Sequence, residues 1–213
     1  MTEIFPFQWR IAVSWISLYF TSYFFNPVLF AAEGPIVAGQ MGMTITVLAG
    51  IQTLSFSWLN TKVPHYCLLI AQHKYNALDS QFNTTLWQML GVCFVLLGFT
   101  YIGIIGLQNL DGSSMGGEIG SRFLYGLPLQ LMFVSYFCTS IINAWETYCR
   151  CHKREPYFIY STVNGILCCV STIVFGRMYG VYGITISYGV ICFLGIPWTY
   201  YIYKESRRKW HSV

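Results

Sequence analysis

Charged residues are scarce in this sequence. Only 9% of its 213 residues are Asp, Glu, Lys or Arg, whereas soluble domains carry about 25%. Such a chain cannot cover a folded surface with groups that water solvates, so a soluble globular domain is excluded. Intrinsic disorder is excluded as well, because it requires low hydrophobicity and high charge. A content of 55% hydrophobic and 18% aromatic residues is typical of a protein in a bilayer, where aromatic side chains collect at the interfaces.

Signatures of catalysis and of metal binding are also lacking. No phosphate-binding glycine loop follows a strand pattern, and no predicted span carries paired carboxylates. Most of the eight cysteines lie in apolar runs, which favours small core residues over a disulfide framework. Cys149, Cys151 and His152 form a short cluster, but no second ligand pair follows at zinc-finger spacing. We therefore predict no enzyme, no metal site, no cofactor and no nucleic-acid partner.

The hydrophobic runs divide the chain into six predicted transmembrane helices. A helix crosses a bilayer with about 20 apolar residues. The segment 63–83 differs, because polar and apolar residues recur there at helical spacing, which predicts an amphipathic helix at the membrane interface. The predicted fold is all-α, a single six-helix bundle over 1–213. Its spans are predicted at about 9–31, 36–59, 85–107, 122–145, 157–175 and 181–203.

Basic residues are distributed unevenly between the two sides of this predicted bundle. Six spans leave both termini on one side. Of the 12 basic residues, only Arg122 and Arg177 then fall on the opposite side, which leaves ten on the side of the termini. Cytoplasmic loops carry the excess of Lys and Arg. We therefore predict that both termini and the 147–156 loop are cytoplasmic.

Uncharged polar side chains are the candidates for function within the membrane. A charge at the bilayer centre costs about 2.5 to 3.5 kcal/mol, and the predicted spans carry most of their charges near their ends. A buried Gln or Asn either bonds a neighbouring helix or lines a water-filled path. Gly39 and Gly42 beside Gln40, and Pro128 beside Gln130, loosen their helices and favour a cavity at these two glutamines.

Two stretches of the chain resemble bacterial polysaccharide flippases of the MATE-like multidrug/oligosaccharidyl-lipid/polysaccharide exporter superfamily. The first consists of GPIVAGQMGMT at 34–44, WLNTKVP at 58–64 and LIA at 69–71. The second consists of YGLPLQ at 125–130, HKREP at 152–156 and Tyr179–Gly180 before the last span. The resemblance covers nearly the whole chain and corresponds to the C-terminal half of these O-antigen and capsule exporters.

The resemblance implies half of a two-bundle transporter in the bacterial cytoplasmic (inner) membrane. The implied substrate is an undecaprenyl-diphosphate-linked oligosaccharide, flipped within membrane lipid for lipopolysaccharide or other surface polysaccharide biosynthesis. Because the family has twice as many spans, we expect a second half-transporter or a homodimer mate. The candidate residues of the substrate path are Gln40, Gln52, Trp58, Gln130, Asn143, Arg10, Lys62 and Arg122.

Two alternative functions stay open. A small-molecule or drug exporter of the same superfamily would need an intramembrane carboxylate for ion coupling, and Glu33 and Glu146 are the nearest candidates. The chain could also be a non-transporting membrane subunit or a remnant of a transporter.

Overall fold

The computed structural model describes residues 19–21, 24–110, 115–152 and 155–211, and every regular element in these ranges is helical. The prediction of an all-α fold is therefore confirmed for the described residues. In chain order the helices are α1 (Phe25–Glu33), α2 (Pro35–Asn60), α3 (Val63–Ala71), α4 (Tyr75–Gln108), α5 (Met115–Gly120), α6 (Gly126–Cys151) and α7 (Phe158–His211).

Four helical stretches are long and apolar enough to cross a membrane. They are Pro35–Ala71, Tyr75–Gln108, Gly126–Cys151 and Phe158–Trp210. This number is smaller than the six predicted spans for two reasons. Residues 9–18 of the first predicted span lie outside the described residues, and the last two predicted spans both fall within α7.

Helix α7 is a hairpin with its turn at Gly180. Gly180 has φ 56° and ψ −136°, a left-handed conformation that favours glycine. The Tyr157 hydroxyl donates a hydrogen bond of 2.9 Å to the Thr199 carbonyl, although these residues would lie about 60 Å apart along a straight helix. The halves 158–179 and 181–211 are therefore antiparallel, and the predicted spans 157–175 and 181–203 lie one in each half.

Two predicted boundaries were wrong. The predicted amphipathic helix 63–83 is interrupted at 72–74, where His73 has φ 56°. Residues 75–83 instead begin α4, because Leu78, Asp79 and Phe82 are buried against the rest of the bundle. The predicted span 122–145 begins only at Gly126, because residues 121–125 form a non-helical connection, which we call the strap.

The two ends of the bundle differ in charge and packing. At one end, the basic end, lie the described residues Lys62, Lys74, Arg150, Lys204, Arg207, Arg208 and Lys209. At the other, the strap end, lie Arg122 and Arg177. An apolar cluster fills the strap end with residues such as Leu29, Met41, Leu124, Met132 and Ile184. A second cluster, rich in tyrosine, fills the basic end with residues such as Tyr66, Phe82, Tyr148, Tyr157 and Tyr203.

Candidate functional site

A polar cavity of about 500 Å³ lies between α2, α6 and the two halves of α7. It begins at the basic end near Asn60 and Arg150, which are exposed, and it ends at Ala49, Tyr136 and Tyr188. The rise of α2 from Asn60 to Ala49 is about 17 Å, roughly half of the hydrocarbon thickness of a bilayer. Beyond this point the apolar cluster of the strap end closes the bundle. The cavity is therefore open at the basic end and blind at the other.

Helical spacing explains why the cavity wall is polar. Residues three and four positions apart share one face of a helix, and polar residues recur at these intervals in each wall helix. On α2 they are Gln52, Thr53, Ser57 and Asn60, on α6 they are Thr139, Asn143, Glu146, Thr147 and Arg150, and on α7 they are Ser161 and Asn164.

The hydrogen bonds of the wall leave many acceptors and donors for a ligand. The Gln52 Nε2 atom donates to the hydroxyls of Thr139 and Ser140 at 3.2 and 3.1 Å, which fixes α2 to α6 and leaves the carboxamide oxygen of Gln52. Within the described part of the chain, the carboxamides of Asn60, Asn143 and Asn164 bond no other side chain. Carboxamides both donate and accept, so the wall suits a ligand with many hydroxyl groups.

The charged residues of the wall are joined in one ion-pair group. The Arg150 guanidinium binds Glu146 Oε1 at 2.6 Å through Nη2 and Glu155 Oε1 at 2.9 Å through Nε. The side chain of Arg150 is 46% exposed, while those of Glu146 and Glu155 are 16% and 4% exposed. Arg150 is thus paired with Glu146 of the wall and with Glu155, so the described wall residues offer no unpaired cation to an anionic ligand.

Three residues that the sequence predicted for function line the cavity. They are Gln52 and Asn143 of the predicted path and Glu146 of the predicted coupling carboxylates. The sequence analysis missed Asn60 and Arg150 as wall residues, whereas Asn164 is one of the intramembrane Asn side chains for which it left open either an interhelical bond or a water-filled path. The spacing of Thr139, Asn143, Glu146 and Arg150 along α6 is the signal that could have found Arg150. No comparable signal in the sequence indicated that Asn60 and Asn164 face the same space.

The remaining predicted site residues lie elsewhere. Gln40 donates to the Ser121 carbonyl at 2.8 Å, and Gln130 donates to the Tyr101 hydroxyl at 3.0 Å. The Trp58 indole donates to Gln88 Oε1 at 3.1 Å on an exposed surface. Lys62 and Arg122 are not among the cavity-wall residues, and Arg10 lies outside the described residues. In the described structure Gln40 therefore bonds the strap and Gln130 bonds α4, and neither is among the residues that line the cavity.

Glu33 stabilises the α7 hairpin at the strap end. Its Oε1 atom accepts a hydrogen bond of 3.1 Å from the Val181 N–H, the first peptide group after the turn. A carboxylate at a helix N-terminus satisfies a free N–H group and interacts favourably with the helix dipole. Glu33 is therefore far from the cavity and has a structural contact that accounts for its position.

The fold and the cavity define a class: an all-helical protein whose helices can cross a membrane and enclose a polar, hydroxyl- and amide-rich space. Comparison of the chain with protein-family models, with curated proteins and with solved structures gives no significant match. Among the described residues, no three His, Cys, Asp or Glu side chains converge on a possible metal position.

Proposed function

We propose that this chain is a subunit that translocates a lipid-linked oligosaccharide across the bacterial cytoplasmic membrane. The main observation that supports this proposal is the polar cavity, which lies beside long apolar helices. A sugar needs hydrogen-bonding partners in place of water, and Gln52, Asn60, Asn143 and Asn164 offer them at several depths. The lipid tail would stay in the bilayer beside the exposed apolar surface of the bundle.

We assign the diphosphate of this substrate to the mouth of the cavity rather than to its interior. Arg150, the basic residue among the described wall residues, is already bound to two carboxylates. A diphosphate deep in the cavity would therefore meet no unpaired cation among the described wall residues. At the basic end, Lys62 follows the wall residue Asn60 by two positions and offers a cation at the level of the lipid headgroups.

We also propose that the complete path needs a second polar wall. Thr53, Ser57 and Asn60 line the cavity and are also exposed on the surface of α2, so the described residues leave one side of the path uncovered. In repeat transporters the substrate site lies between two halves. A second half-transporter or a second copy of this chain would close the open side and exclude lipid from the path.

The proposed topology has six spans. The first ends within α1, the next three lie in α2, α4 and α6, and the last two lie in α7. Helix α3 would lie at the interface. Reporter fusions at Val213 and after Gly112 are expected to report opposite sides, because α7 ends at the basic end and the described residues that precede Gly112 in the chain, up to Leu110, lie at the strap end. Cytoplasmic activity at Val213 is expected from the excess of basic residues. Two fusions that report the same side would overturn the six-span topology.

Loss of cavity carboxamides should weaken sugar binding. We expect Gln52→Leu and Asn143→Leu each to weaken binding of undecaprenyl-diphosphate trisaccharide by about tenfold, the equivalent of one lost hydrogen bond. Gln130→Leu is the matched control on α6, because this residue faces Tyr101 outside the cavity. Binding to the purified full-length chain can be measured by microscale thermophoresis in detergent. Equal binding of undecaprenyl diphosphate without sugar would contradict the proposal.

One observation favours a second candidate function, the export of a small organic cation. Glu146 places a carboxylate in the wall of the cavity, where it can bind a cation. In the same assay, tetraphenylphosphonium serves as the probe. Tight binding of tetraphenylphosphonium that is lost in Glu146→Gln, together with absent trisaccharide binding, would favour the cation exporter over the flippase.

A further inference from the structure

The strap is inserted into the strap end of the bundle. Phe123 and Leu124 are 5% and 2% exposed and belong to the apolar cluster that closes the blind end of the cavity. The strap follows the short helix α5 and ends at Tyr125, whose backbone is extended. Its burial is unusual for a connection between helices, since connecting segments normally run over the surface.

Side chains from two helices hold the strap in place. The Leu124 N–H donates to Thr44 Oγ1 of α2 at 3.2 Å, and the Leu124 carbonyl accepts from Gln108 Nε2 of α4 at 2.9 Å. Gln40 Nε2, one turn before Thr44, donates to the Ser121 carbonyl at 2.8 Å. These three bonds satisfy strap groups that neither a helix nor a sheet satisfies, and all three come from side chains.

The strap lies directly in line with the cavity. Thr44 precedes the last cavity residue of α2, Ala49, by five positions, which corresponds to about 8 Å along the helix. Fully buried apolar side chains, including Leu48, Met132 and Ile184, fill the space between them. A path from the cavity to the strap end therefore passes through this apolar layer and past Leu124.

We propose that the strap is the gate of the cavity at the strap end, and that Gln40, Thr44 and Gln108 are its latch. This inference rests on the proposed function, because a gate requires that the cavity be part of a path. The latch consists of three hydrogen bonds, and water can replace each of them when the strap withdraws. Gly126, with φ 59° and open space around its α-carbon, provides a hinge between the strap and α6.

The gate can be tested by the access of reagents to the cavity. Asn143→Cys introduces a thiol in the cavity, and a membrane-impermeant maleimide is added from the strap side of oriented vesicles that hold the full-length chain. Labelling is assigned to residue 143 by fragmentation of the labelled peptide in the mass spectrometer, because Cys138 and Cys149 lie on the same stretch of α6. We expect slow labelling with the native latch.

Removal of a latch bond should open this access. Thr44→Val and Gln108→Leu are each expected to accelerate labelling by about tenfold, whereas Thr44→Ser, which keeps the hydroxyl acceptor, should leave it unchanged. Gln130→Leu is the control for loss of a glutamine bond away from the strap. If Thr44→Val does not accumulate as a folded protein, Gln108→Leu tests the same latch independently.

Amide hydrogen exchange of residues 120–125 distinguishes loosening of the strap from opening of the cavity. Faster exchange in Gln108→Leu together with faster labelling supports the gate. Faster exchange with unchanged labelling would show that the strap loosens without opening the cavity and would overturn the proposal. Unchanged exchange would overturn the latch. Neither of these two readouts uses a sugar. Failure of trisaccharide binding would therefore contradict the proposed substrate, whereas only the labelling and exchange measurements can contradict the gate.

Discussion

Gly180→Ala should lower the free energy of unfolding by about 3 kcal/mol. Gly180 has φ 56°, and this left-handed conformation costs a residue with a Cβ roughly 1 to 2 kcal/mol. A Cβ at this position would also overlap the Glu33 carboxylate. The carboxylate would have to move and give up its bond to the Val181 N–H, at a cost of about 1 kcal/mol. The expected decrease in melting temperature in detergent is about 6 to 12 °C.

Gly39→Ala is the matched control for this substitution. Gly39 lies within α2, and nothing occupies the space within 4 Å of a Cβ added there. Alanine is a better helix former than glycine by about 1 kcal/mol, so this variant should be as stable as the native chain or more stable. Gly180→Ala in a Glu33→Ala background should cost less than in the native chain, because the overlap is gone. Additive effects of the two substitutions would refute the role of Glu33 in the turn.

Asp79→Ala should destabilise the basic end to a similar extent. Asp79 Oδ2 binds the Arg207 guanidinium at 2.6 Å, and Oδ1 accepts a bond of 2.7 Å from the Tyr148 hydroxyl. The group joins α4, α6 and the end of α7. Removal of one partner of a buried pair costs about 3 to 5 kcal/mol, and we expect about 3 kcal/mol because the Arg207 side chain is 42% exposed.

The effect of Asp79→Ala should be concentrated at the end of α7. Trypsin cleavage after Arg207 and Arg208 should accelerate, because Arg207 no longer holds this segment against α4. Glu205→Ala is the control, since the pair of Glu205 with Lys209 is 34% and 66% exposed and such surface pairs contribute under about 1 kcal/mol. Equal cleavage rates in Asp79→Ala and Glu205→Ala would exclude a docking role for Asp79.

The predicted elements that depend on local sequence agree with the described structure. The lack of charge and the long apolar runs predicted an all-helical chain, because a bilayer requires every backbone group to be bonded within its own helix. The break between the predicted spans 157–175 and 181–203 was also predicted, and the structure places the turn at Gly180. The predicted helix 63–83 was wrong because the burial of Leu78 and Phe82 against distant helices extends α4 toward its N-terminus.

The residues that line the cavity could not be predicted from the local sequence. Gln52 and Gln40 lie on the same helix and are chemically identical, yet Gln52 faces the cavity and Gln40 bonds the strap. The choice between them depends on which helices pack against each face of α2. Asn143 and Gln130 on α6 differ in the same way, since the first lines the cavity and the second bonds Tyr101.

By itself, the sequence determined the helical fold, the helices long and apolar enough to cross a membrane, and the clustering of the described basic residues at one end, because hydrophobicity and charge act residue by residue. The tertiary structure alone decided the cavity wall and the insertion of the strap. These features join residues from helices that are distant in sequence. Their positions follow from side-chain packing, which depends on the arrangement of all the helices together.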